Sequence, residues 1–189
     1  MKVVTLLGSA KKKGNTATAL GWVEDELKSM GHDVESIYLN SKTINGCLGC
    51  AKCKEKPDEI GCIQNDDAAA ILKKIIDADL TIYTTPLYFW GVTSQLKSII
   101  DRSWSLVTNY HQPNHASLIE GKRQALLVTG GGEYDNNAEP VFIAFDKLIK
   151  FYKGHKIGEL FLGSCKTPDT MDDAKREKAI AFAKKIVAP

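Results

Sequence analysis

The chain has 189 residues, enough for one domain with a substantial core, and its 43% hydrophobic and 25% charged residues are those of an ordinary globular protein. A net charge of +2, with no basic stripe interleaved with aromatics, gives no electrostatic case for nucleic acid. No apolar run reaches membrane-spanning length and residues 1–10 read as a strand, so no membrane contact and a cytoplasmic setting are expected, in which the five cysteines are ligands or thiols rather than disulfides.

Strands and helices alternate along the chain. Lys2 to Leu7 is a buried strand that breaks at Gly8-Ser9, passes Lys11-Lys12-Lys13 and turns at Gly14-Asn15. The following helix carries Ala19, Leu20, Val23, Leu27 and Met30 at helical spacing until Gly31 stops it. Asp33 to Leu39 is a second strand, and residues 40–65 are an irregular insertion with four cysteines. Asp66-Asp67 opens a helix, placing two carboxylates at its positive end. Leu80 to Thr85 is a third strand, and the aromatic loop 86–92 leads into a helix from about Thr93 to Leu106. Gln124 to Thr129 is a strand ending in Gly130-Gly131-Gly132, Glu139 to Phe151 a helix, Lys156 to Leu162 a strand, and Asp169 to Val187 a closing helix.

This alternation implies a single α/β domain over residues 1–189, a mainly parallel five-stranded sheet with helices on both faces. Right-handed crossovers with one reversal of winding give the strand order 2-1-3-4-5, with ligands expected at the carboxyl ends of the strands near the switch point. Three unusual loops fall on that rim: 8–16, 86–92 and 130–136.

The first loop is chemically the most specific. Helix amides without partners, the Ser9 and Thr16 hydroxyls, Asn15 and the lysines converge on a small volume that suits a phosphate, with Asn15 and Thr16 also able to cap the helix. The glycine spacing fits neither a Walker loop nor a dinucleotide fingerprint. It resembles G-S-x-R-x-x-G-N-T, the first loop of the flavodoxin-like FMN reductases, through Gly8, Ser9, Gly14, Asn15 and Thr16, with Lys11 in the place of arginine. Lysine keeps the charge and loses the planar fork. The run Thr85-Pro-Leu-Tyr-Phe-Trp-Gly-Val-Thr-Ser-Gln-Leu-Lys-Ser-Ile-Ile-Asp-Arg102 resembles the T-P-x-Y-x-x-x-x-[ST]-x-x-[LM]-K-x-x-[IL]-D-R segment of the same NAD(P)H-dependent family. The likeness runs over most of residues 1–105.

The resemblance implies a flavodoxin-like three-layer sandwich that binds FMN. Ser9, Lys11, Lys13, Gly14, Asn15 and Thr16 would hold the phosphate. The aromatic faces in Pro86, Leu87, Tyr88, Phe89, Trp90 and Gly91 suit a flat apolar slot for the ring. Backbone near Thr129, Gly130, Gly131 and Gly132 would reach the ring's polar edge, and Tyr134 would border it or reach a neighbouring subunit. The helix after the aromatic loop commonly packs in a dimer interface in this family, so a homodimer or homotetramer is expected.

Cys47-x-x-Cys50-x-x-Cys53-x8-Cys62 puts three thiols on one tight run, a spacing that favours iron–sulfur over zinc. It resembles the compact motif of iron–sulfur flavoproteins, which implies a [4Fe–4S] cluster near the FMN. Many broader relatives carry a similar segment with no established cluster, and both readings stand at this level. His111 and His115 flank Pro113, lack a ligating neighbour and read as a solvated loop at the active-site rim. Cys165 reads as a small buried residue and Asp101-Arg102 as an ion pair within or between subunits.

The expected activity is an FMN-dependent oxidoreductase that moves electrons between NAD(P)H and a quinone, flavin, metal complex or iron–sulfur centre. No side chain is required as acid or base, because the cofactor carries the chemistry. The alternatives are a non-enzymatic electron carrier reduced by a redox protein such as ferredoxin, and a redox sensor acting through Cys47–Cys62.

Overall fold

The computed structural model describes residues 1–188. Five parallel strands form the central sheet: β1 (Lys2–Leu7), β2 (Asp33–Tyr38), β3 (Leu80–Pro86), β6 (Arg123–Thr129) and β7 (His155–Leu162). Their order is β2-β1-β3-β6-β7. Set aside the two-residue antiparallel pair β4 (Val107–Thr108) and β5 (Ala116–Ser117), and this is the expected 2-1-3-4-5. β3 and β6 are buried almost throughout, which is why they read as continuous apolar runs rather than alternating ones.

Successive side chains of the strands feed opposite faces. Val3, Leu80, Ile82, Ala125 and Leu127 pack under α1 (Asn15–Ser29) and α5 (Asp173–Val187). Val4, Leu6, Tyr83, Leu126 and Val128 pack under α2 (Ala68–Asp77), α3 (Ser94–Arg102) and α4 (Glu139–Phe151). Helices therefore cover both faces, and the chain is a flavodoxin-like three-layer sandwich.

Where element ends differ from expectation, side-chain hydrogen bonds decide them. α3 ends at Arg102 rather than Leu106, and Ser103–Leu106 tightens into a 3-10 turn in which the Ser103 and Ser105 hydroxyls donate to the Ile100 and Arg102 carbonyls. α5 starts at Asp173, because the Asp172 carboxylate accepts from the Lys175 amide at 2.9 Å, and Pro168–Thr170 is a separate turn. Neither Asn15 nor Thr16 caps α1: Gly14 is the N-cap and offers no side chain.

α5 sits tightly on β7 because residue 158 is glycine. A Cβ there would lie 2.6 Å from Ile186 Cγ2 and 3.1 Å from a Phe182 ring carbon. Gly158→Ala therefore overpacks this contact and is expected to lower stability in urea unfolding by about 1–3 kcal/mol. Gly21→Ala is the control, since Gly21 lies inside α1 with open space around it, and there alanine is expected to add about 1 kcal/mol.

Candidate functional site

The carboxyl ends of β1, β3 and β6 open onto one cleft of about 350 Å3. It is lined by Ser9, Lys11, Lys13, Gly14, Asn15 and Thr16 from the first loop, by Pro86, Leu87 and Tyr88 from the second, and by Thr129, Gly130 and Gly131 from the third. Its volume lies in the ordinary range for small-molecule sites. A larger hollow of about 510 Å3 lies along edge strand β2 and is lined by charged groups such as Glu24, Lys42 and Asp67, with Lys12 from the first loop but nothing from the second or third. Loop chemistry, not size, singles out the cleft.

Hydrogen bonds hold the three loops to one another. Gly8 N donates to Thr84 O at 2.8 Å, and the Thr93 hydroxyl donates back to Gly8 O. Leu87 N donates to Thr129 O at 2.7 Å, and the Thr16 and Thr129 hydroxyls meet at 2.7 Å. With no side-chain cap, the first amides of α1 are left without acceptors beside this cleft. Ser9 is buried, and its hydroxyl bridges the Lys11 backbone, shaping the turn in which Lys11 and Lys13 present their charges.

The aromatic loop is a tight reversal. Tyr88 and Gly91 exchange backbone hydrogen bonds at 3.1 and 3.0 Å across Phe89 and Trp90, whose φ values are +46° and +62°. Two-residue reversals of this hand usually carry Asn-Gly, because bulky residues are strained there. Tyr88 lines the cleft, whereas Phe89 is 95% exposed and Trp90 and Gly91 turn to a separate apolar hollow between α3 and α4.

The cysteine segment lies against the end of α3 and the turn that follows it. Cys47, Cys50, Cys53 and Cys62 all border one cavity of about 20 Å3, together with Arg102 and Trp104. All four are free thiols, and burial pushes Cys53 up, with Cys62 and Cys47 adding to that against the opposing charge of Lys54. Lys54 Nζ reaches into the fold to bond the Trp104 and Val107 carbonyls and lies 4.0 Å from the Trp104 ring centre. Among the described residues no group of three or more potential ligands is gathered closely enough to hold a metal ion. The donor chemistry suits a thiolate-held centre, but a space this small does not admit one without outward movement of the exposed 47–50 turn.

Both ends of this segment are clasped by a buried ion pair. Arg102 and Asp66 are bidentate, at 2.6 and 3.0 Å, with side chains 0% and 1% exposed. Arg102 also donates to Asn45 O at 3.0 Å, while Asp66 accepts from the Asn45 and Ala68 amides at 2.9 and 3.0 Å. The expected Asp101-Arg102 pair is thus replaced by Arg102–Asp66, and Asp101 pairs with Lys97 one helical turn away.

A model of the NADPH-dependent FMN reductase family matches residues 1–145. The chain belongs to the NADPH-dependent FMN reductase family. It is an FMN-dependent oxidoreductase of the NAD(P)H-linked type. Among relatives, an iron–sulfur flavoprotein of Archaeoglobus fulgidus is 30% identical over 186 residues, covering 98% of this chain and 79% of that protein. An iron–sulfur flavoprotein of Methanocaldococcus jannaschii is 39% identical over 114 residues, which is 60% of this chain and 58% of that protein. The structure of an FMN-dependent NADH-azoreductase from Bacillus anthracis superposes over the full length of both chains with a TM-score of 0.75 at 12% identity, a likeness of fold.

In this member of the FMN reductase family the expected site residues divide. Those of the first loop, 86–88 and 129–131 line the cleft, whereas Phe89, Trp90, Gly91, Gly132 and Tyr134 do not. Tyr134 packs on Phe142 and Phe161, with ring centres 5.5 and 5.8 Å apart. Cys165, Lys166 and Pro168, after β7, complete the wall and were missed, because no local pattern marks a segment that reaches the cleft only through tertiary folding. Cys165 is half-buried rather than core, and burial pushes its thiol up. His111 and His115 stand away from the cleft, against Tyr110 and Phe151 in the turn between β4 and β5.

Burial opposes the charge on Asp66, but the Arg102 guanidinium and the Asn45 and Ala68 amides outweigh it and hold the carboxyl down at about 2. A folded pKa below the unfolded one contributes stability that is complete at neutral pH and lost as pH falls through the folded value. The stability difference between wild type and Asp66→Asn is therefore expected to stay constant from about pH 8 to 5 and to shrink toward pH 2 in urea titrations. Arg102→Gln, which leaves Asp66 buried and unpaired, is expected to cost about 3–5 kcal/mol at pH 7.

Proposed function

We propose that the cleft of this FMN reductase holds FMN with its phosphate at the N-terminus of α1 and its ring along Leu87, Tyr88, Gly130 and Gly131. The observation that carries this reading is the uncapped helix start that opens onto the same space as an apolar loop and a glycine loop. The Asn15, Thr16 and Ala17 amides bind the phosphate, and Lys11 and Lys13 neutralise it. Leu87 and Tyr88 exclude water from the ring, and the Gly131 backbone, with open space beside it, orients its polar edge. When bound, FMN supplies the hydride and single-electron chemistry. NAD(P)H is the donor, and a small molecule such as a quinone, free flavin or metal complex is the acceptor.

Two finer readings accompany it. With the exposed 47–50 turn moved outward, the four cysteines hold a [4Fe–4S] cluster, a reading supported by their convergence on one cavity and by the relatives named iron–sulfur flavoproteins. The working unit is a homodimer that covers the exposed Phe89 and Trp90 and the apolar hollow between α3 and α4, lined by Val92, Ile100, Val141 and Leu148.

Anaerobically purified protein is expected to show flavin absorbance, or to gain it on reconstitution with FMN, and to contain about four irons per chain. Flavin without iron, even after reconstitution, would remove the cluster, and failure to bind FMN would remove the cofactor assignment. The Lys11→Gln/Lys13→Gln double variant is expected to weaken FMN binding about tenfold or more, with a shallower salt dependence. Phe89→Asp is expected to shift the protein from dimer to folded monomer in analytical ultracentrifugation, and a wild-type monomer at micromolar concentration would sink the dimer.

A further inference from the structure

The cleft has a fourth wall that the loop motifs do not foretell. Residues 163–168 leave β7 and cross beside the first and third loops, and Cys165, Lys166 and Pro168 line the space. On one side, Cys165 N donates to Gly130 O at 2.8 Å and Ser164 N to Gly132 O at 3.2 Å. The Ser164 hydroxyl adds a bond to the Glu133 carboxylate at 2.6 Å, and Ser164 itself sits at φ +54°, a left-handed conformation that its surroundings must impose. On the other side the fastening is one side chain. Asn15 Nδ2 donates to Cys165 O at 3.0 Å and to Thr167 O at 3.1 Å.

A primary amide has two N–H hydrogens, and both are occupied here. The orientation of the amide is unambiguous, because backbone carbonyls only accept. What Asn15 has left is Oδ1, an acceptor, which a phosphate oxygen repels. Its side chain is therefore unavailable as a phosphate donor while it holds the segment. We infer that Asn15 is a positioning residue, a latch that joins the start of α1 to residues 165–167 and keeps Lys166 at the cleft beside Lys11 and Lys13, where its charge adds to the binding of the phosphate. The inference rests on the FMN reading for its ligand, but the latch itself is a property of the protein without ligand.

The experiment is hydrogen–deuterium exchange on the full-length protein without flavin, paired with FMN titration by fluorescence. Asn15→Ala preserves helix propensity and removes both bonds. It is expected to raise exchange at residues 164–167 about tenfold while α1 stays protected, and to weaken FMN binding about tenfold. Asn15→Asp, which exchanges both donors for acceptors, is expected to raise exchange alike and, with its added negative charge beside the phosphate, to weaken binding further. Lys166→Gln is expected to weaken binding about threefold in the wild-type background and to have no effect in Asn15→Ala, the coupling that a latch requires. Weakened FMN binding with unchanged exchange at 164–167 would overturn the latch and make Asn15 a direct ligand. Raised exchange with unchanged FMN affinity, or equal effects of Lys166→Gln in both backgrounds, would separate the latch from the site. If wild type binds no FMN, the cofactor reading fails, while exchange in the ligand-free variants still decides whether Asn15 holds the segment.

Discussion

The close approach at Gly8 governs the whole rim. A Cβ at this position would lie 2.9 Å from Leu96 Cβ, 3.0 Å from Thr84 O and 3.1 Å from Thr93 Oγ1. Only glycine lets the chain leave β1 pressed against both β3 and the start of α3. From that contact Thr93 does two things at once: its hydroxyl donates to Gly8 O, and its oxygen accepts from the Leu96 amide to cap α3. The first loop is thereby fixed relative to the second. The Thr16–Thr129 and Leu87–Thr129 bonds then bring in the third, so the cleft is assembled by backbone geometry and buried hydroxyls before any ligand arrives. Preorganisation of this kind lowers the ordering cost of binding.

Two features of the molecule run against local preference. The reversal at Phe89-Trp90 holds two aromatics at positive φ and leaves them largely in water. Such strain persists where surrounding structure imposes it, and it concentrates at sites that bind something. The second feature is the Arg102–Asp66 pair. Burying two charges is costly, and the pair survives because every oxygen of Asp66 is hydrogen-bonded and the guanidinium is bidentate. Its effect is topological as well as energetic. Asn45 and Asp66 lie at opposite ends of the cysteine segment, so one arginine closes a loop of some twenty residues against α3.

Arg102 also reaches the cysteines. It borders the cavity that the four thiols share, and its Nε has no hydrogen-bond partner. The cysteine segment and the cleft are thus served by opposite ends of one helix, Thr93 at its start and Arg102 at its end.

The sequence by itself determined the α/β class, the order of the central strands and which three loops would meet. Alternating apolar runs, glycine breaks and the handedness of crossovers are local or nearly local properties. The amino acids of the first loop are likewise legible, since Gly8, Ser9, Gly14 and the lysines act within a few residues of one another. What the residues would do with their hydrogen bonds was not legible. Asn15 and Thr16 read as helix caps and phosphate donors, but their side chains bond residues more than a hundred positions away. Arg102 read as the partner of the adjacent Asp101, yet it pairs with Asp66. The wall from 165 to 168 carries no pattern at all. Only the tertiary structure decided these, because a polar side chain takes the partner that burial leaves it, and burial is set by the packing of segments far apart in the chain.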